Sequence, residues 1–218
     1  MDAVRNPFAP GAGSRPPELA GRDEIVFEAR TAIQRALLGK PSRSQVLLGL
    51  RGVGKTVLLS KIEEMAEHEG HLTSYIEAPE GKALSELLVP KIHQVLRKLS
   101  AHESAKAKAH DALRALRSFV SVIKVSFGDT SIAVEPEIGV ADSGALEEDL
   151  PELLTRVGEA AKAADKAWTL LIDEVQYLRG QDLAALIVAL HKVNQKRSEE
   201  HTSELQSLRH LVCRLLLE

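Results

Sequence analysis

Gly49-Leu50-Arg51-Gly52-Val53-Gly54-Lys55-Thr56 fits G-x-x-x-x-G-K-[ST], the pattern of a phosphate-binding loop. Both flanks agree with it. Gln45-Val46-Leu47-Leu48 ahead of the loop is an apolar run suited to a buried parallel strand. Behind it, Val57, Leu58, Ile62 and Met65 recur at helical spacing towards Glu69. Glycines at 49, 52 and 54 let the backbone curl until successive N–H groups point inward at phosphate oxygens. A helix starting near Lys55 adds its positive N-terminal end to the same anion. The candidate nucleotide contacts are therefore Gly49, Arg51, Gly52, Val53, Gly54, Lys55, Thr56 and Val57. Lys55 reaches the β- and γ-phosphates as a point charge, and the Thr56 hydroxyl is placed to ligate Mg²⁺.

A second motif answers the first. Trp168-Thr169-Leu170-Leu171-Ile172-Asp173-Glu174 is an apolar strand ending in two acids, and ligands of parallel sheets sit at that end. Asp173 is the candidate metal residue opposite Thr56, directly or through a water. Glu174 is the candidate catalytic residue that orients and polarises water for in-line attack at the γ-phosphate. Gln176 is either a polar element near that phosphate or a surface residue, and Tyr177 and Leu178 are expected to close the strand onto the core.

The chain has 218 residues and a formal net charge of −3, enough length for one full core and no overall electrostatic case for nucleic acid. It has no apolar run of roughly eighteen residues and no secretory apolar stretch at the N-terminus, which makes a cytoplasmic location the default and argues against a membrane partner. The histidines at 68, 71, 93, 102, 110 and 191 lack metal-site spacing and read as surface or packing residues.

The last stretch reads differently. Arg197 to Ser207 and Leu211 to Glu218 match the translation of a common sequencing-library adapter, with Leu208-Arg209-His210 where such adapters carry a variable index. The expectation is that biological sequence stops near Lys196 and that 197–218 are a non-native tail. The single cysteine, Cys213, lies in that tail, leaving no thiol chemistry elsewhere.

Three segments in this order, Leu19-Ala20-Gly21-Arg22-Asp23-Glu24, then 49–56, then Leu170 to Gln176, resemble a bacterial AAA-type ATPase. Origin-recognition-like and signal-transduction (STAND) ATPases are the groups it is most similar to, over about residues 17–196. The resemblance implies that Gly21 and Arg22 border the adenine, and that the cofactors are ATP and Mg²⁺. It also implies a P-loop three-layer α/β/α sandwich with a parallel sheet. A sensor-1 strand, an arginine finger and a helical lid would follow Lys196; with the tail in their place, the domain is expected to be incomplete at the C-terminus and to lack a central strand. Self-association, a protein partner or, by family analogy alone, DNA are the partners the resemblance brings with it.

The organisation expected is an arm over 1–17, rich in Pro, Gly and Ala, an ATP-binding domain over 18–196, and the tail. Within the domain the periodicities predict a helix from Asp23, as possible cap, to Leu38, a strand over 71–78, and a helix over 84–99 with Pro90 as a kink. They also predict helices over 103–120, 146–164 and 181–192. Ile123 to Phe127 and Thr130 to Val134 around Gly128-Asp129 read as a β-hairpin insertion, more a covering element than a contact wing. Three activities fit: an ATP-hydrolysing switch, expected of the full-length protein with turnover weak or absent in this fragment; a nucleotide-binding module without efficient hydrolysis; and a P-loop small-molecule kinase. No Asn-Lys-x-Asp-like segment favours guanine.

Overall fold

A computed structural model describes residues 21–40, 42, 44–48, 50, 53–123, 141–200 and 211–217, the last stretch and 196–200 by backbone alone. Four parallel strands lie in the order β1-β4-β3-β2: β1 is Gln45–Leu48, β2 Leu72–Glu77, β3 Trp168–Asp173 and β4 Leu211–Leu217. Helices α1 (Asp23–Leu37) and α2 (Lys55–His68) cover one face. The other carries α3 (Leu84–Ser100), α4 (Lys106–Ile123), α5 (Leu146–Ala163) and α6 (Gly180–Glu200).

The two-residue period of β3 explains the layering. Leu171 joins Ile33, Leu58 and Ile62 on the α1/α2 side, whereas Trp168, Leu170 and Ile172 join the larger cluster built by α3 to α6. Every residue of β3 is buried, as a central parallel strand requires. The α/β/α sandwich and its parallel sheet stand as expected.

Several expectations need correction. The sheet does not lack its central strand: the backbone of Leu211–Leu217 pairs with both β1 and β3, in the slot expected to be empty. An open slot would leave two facing rows of N–H and C=O groups unpaired, and an extended segment satisfies both. Likewise α6 does not stop at Lys192 but runs past Lys196 to Glu200. Residues 103–105 form a 3-10 turn, and α4 continues to Ile123, which is therefore helical rather than the start of a strand. The rest of the hairpin, Lys124 to Val134, lies outside the described residues, as does the arm over 1–17. Asp23 is the first helical residue and makes no side-chain cap; with Glu24 it places negative charge at the positive end of α1. Tyr177 is exposed and only Leu178 seals the core.

Pro151 inside α5 removes the N–H that the Glu147 carbonyl would accept. Lys192 Nζ from α6 donates to that carbonyl instead, at 3.5 Å. Asp149 takes the Ser143 and Gly144 N–H groups, both at 3.0 Å, closing the turn before α5. Among the described residues no helix is long and apolar enough to cross a membrane.

His71 ties three elements together at the head of β2. It is 5% exposed; Nδ1 lies 2.8 Å from the Thr169 hydroxyl and Nε2 lies 3.1 Å from the Ile33 carbonyl. A carbonyl can only accept, so Nε2 carries the proton and Nδ1 accepts from Thr169 in the neutral ring. Burial pushes the pKa down from 6.5 to about 4. Between these values the unfolded chain binds the proton and the fold does not. Stability therefore falls as pH drops from 6.5 to about 4, by about 3 kcal/mol in all. The expected result is a urea midpoint that declines between pH 7 and pH 4.5 in the wild type and declines visibly less in His71→Gln.

Candidate functional site

The C-terminal ends of β1 and β3 face the same end of the sheet, and the two motifs meet there. Gly54 caps α2 with φ of 83°, a left-handed conformation that costs glycine nothing and a side chain about 1–2 kcal/mol. It turns the chain so that Lys55 opens the helix and Leu58 N–H closes the first bond onto the Gly54 carbonyl at 3.0 Å. The helix therefore starts directly after the left-handed turn, and a helix N-terminus carries the positive partial charge that an anion site needs.

Thr56 is exposed at that terminus. Its hydroxyl donates to Asp173 Oδ2 at 2.8 Å, joining residues 117 apart in sequence. Asp173 itself is 3% exposed and takes two further donors: the Tyr75 hydroxyl on Oδ2 at 2.7 Å and the Glu174 N–H on Oδ1 at 2.9 Å. Burial, then the hydrogen bond to Asp173, push the Tyr75 phenol far above its usual pKa, so it donates at any ordinary pH.

Glu174 follows in the left-handed region with φ of 57°, an uncommon place for a residue with a side chain. The bend ends β3 and starts the 3-10 turn Val175–Tyr177. The Gln176 amide donates to Glu174 Oε2, so the carboxylate is held from within its own turn. Gln176 is thereby tied to Glu174, the candidate catalytic residue. Such strain persists where the surroundings over-determine it, and it concentrates at functional sites.

Of the other residues read from sequence, Lys55 Nζ reaches the Leu50 carbonyl at 3.3 Å, within its own loop. Arg22 donates to the Val53 carbonyl at 3.1 Å and so ties the segment before α1 to the loop. Gly21 precedes it with φ of 75°. Val57 is half-buried beside them, and Gly49, Arg51 and Gly52 lie outside the described residues. The residue that sequence reasoning missed is Tyr75. Nothing in a strand-forming Thr73-Ser74-Tyr75-Ile76 marks it; only the pairing of β2 with β3, which sets Tyr75 level with Leu171, brings its hydroxyl to Asp173.

The donor set suits a hard divalent cation. A hydroxyl and a carboxylate 2.8 Å apart are oxygen ligands of the kind Mg²⁺ takes, with phosphates and waters completing its shell.

Comparison with curated proteins gives no match, and neither does comparison with solved structures. A protein-family model does match. It covers residues 18–214, most of the chain, a range that includes the loop, Asp173-Glu174 and residues 197–214. The chain belongs to the family described by that model, the AAA ATPase domain.

Proposed function

We propose that this chain binds ATP with Mg²⁺ at the loop and hydrolyses it, as the nucleotide-driven switch of its full-length protein. The observation that carries this is the Thr56–Asp173 hydrogen bond, because it unites the two halves of a nucleotide site in one place. Gly21 and Arg22 border the base. The loop over 49–54 and the N-terminus of α2 hold the phosphates, with Lys55 leaving the Leu50 carbonyl for the β- and γ-oxygens. Thr56 and Asp173 hold the cation, which when bound neutralises charge between the β- and γ-phosphates. Glu174 orients a water in line with the γ-phosphorus and accepts its proton as the new P–O bond forms. The bond to the β–γ bridging oxygen breaks, and ADP and phosphate leave.

A second reading has one observation in its favour. Glu174 is engaged by Gln176, and a carboxylate held there is not free for water on that oxygen. On this reading the chain binds nucleotide without efficient turnover. The test is phosphate release from ATP and from GTP at saturating Mg²⁺. Release from ATP well above that from GTP supports hydrolysis; binding with no release above background supports the second reading.

We also propose that 197–218 are non-native. The register places Arg214 level with Leu171 and Gln45, and central strands rarely carry a charged residue. What the structure gives this segment is main-chain pairing, with β1 on one side and β3 on the other. Sequencing the source locus beyond the codon for Lys196 decides the matter: codons for Arg197 to Glu218 found there would refute the proposal.

A further inference from the structure

Asp173 has one donor more than the loop-and-strand chemistry calls for. We propose that Tyr75 is a positioning residue for the divalent cation: its hydroxyl holds Asp173 in the orientation that receives Mg²⁺ with the nucleotide. This rests on the nucleotide reading above and deepens it.

Oδ2 takes two donors, Tyr75 at 2.7 Å and Thr56 at 2.8 Å, while Oδ1 takes the Glu174 N–H at 2.9 Å. An ionised carboxylate offers about four acceptor sites. Among the described residues one remains, on Oδ1, so the three donors leave the cation or its water a single approach to this side chain. The donors are not equivalent. Thr56 has one hydroxyl to serve both cation and carboxylate, and it sits exposed at the end of the loop. Among the described residues the Tyr75 hydroxyl bonds Asp173 alone, from a fixed base. Its backbone is paired with β3 level with Leu171, and its ring packs on the cluster of Ile33, Leu58 and Leu171. That packing needs only a phenyl ring; the hydroxyl is the part that packing leaves unexplained. Groups that hydrogen-bond a ligating carboxylate keep it oriented, and their loss typically costs about ten- to a hundredfold in metal affinity.

The test is calorimetric ATP binding by wild type and Tyr75→Phe, first in EDTA and then across a Mg²⁺ titration. The expected result is a metal-free ATP affinity within about twofold of wild type, with the Mg²⁺ concentration for half-maximal enhancement raised about tenfold or more. The unchanged metal-free affinity shows that fold and loop are intact. An unmoved Mg²⁺ half-point overturns the proposal. Should Tyr75→Phe fail to fold, 4-aminophenylalanine placed at position 75 keeps an N–H donor at the same reach on the same ring and must stay within about threefold of the wild-type half-point; a tenfold rise there counts against the proposal. If wild type binds ATP with no response to Mg²⁺, or binds none, the underlying nucleotide reading has failed first.

Discussion

Glu174→Gln is expected to lower ATP turnover by about a hundred- to ten-thousandfold while leaving ATP bound as tightly as before. The carboxylate follows Asp173 at the end of β3, held by Gln176 on one oxygen, and proton acceptance on the other is the step it would supply. An amide of the same shape can still accept from Gln176 and keep the bend at φ of 57°, so neither fold nor phosphate contacts should change. Single-turnover phosphate release, read beside equilibrium ATP affinity, separates these quantities. Unchanged turnover would mean that Glu174 is not the base, and would favour a binding module.

Lys55→Ala is expected to act on the other quantity. A charge-assisted bond to phosphate contributes about 2–3 kcal/mol, so ATP affinity should fall roughly thirty- to a hundred-and-fiftyfold. A urea midpoint measured beside the affinity separates loss of the phosphate bond from loss of the ammonium's contact with the Leu50 carbonyl. Lys55→Arg should recover only part of the loss, because a planar fork replaces a compact point charge. Affinity within threefold of wild type in Lys55→Ala would place the phosphates elsewhere.

Local chemistry makes the loop and Asp173 legible in the sequence. Gly54 needs a left-handed backbone, Lys55 and Thr56 follow it by fixed spacing, and Asp173 closes an apolar strand buried on both faces. What stays hidden depends on distant pairing. Tyr75 meets Asp173 across 98 residues, and only the β2–β3 register joins them. The extension of α4 to Ile123 escapes periodicity because Ile123 is β-branched and precedes an alternating segment, a pattern that suits a strand as well as a last helical turn. In the tail, β4 occupies its slot through main-chain bonds, which the codon match does not reveal. Gln176 is ambiguous in sequence because its partner, Glu174, is set by a bend that periodicity does not show.

The most direct measurement of the central claim is a calorimetric titration of a non-hydrolysable ATP analogue into the purified wild-type chain, with and without Mg²⁺. Saturable one-to-one binding, tightened by Mg²⁺ and not reproduced by the GTP analogue, is the predicted result. No heat of binding at millimolar analogue in either condition would contradict it, and the meeting of Thr56 with Asp173 would then need another explanation.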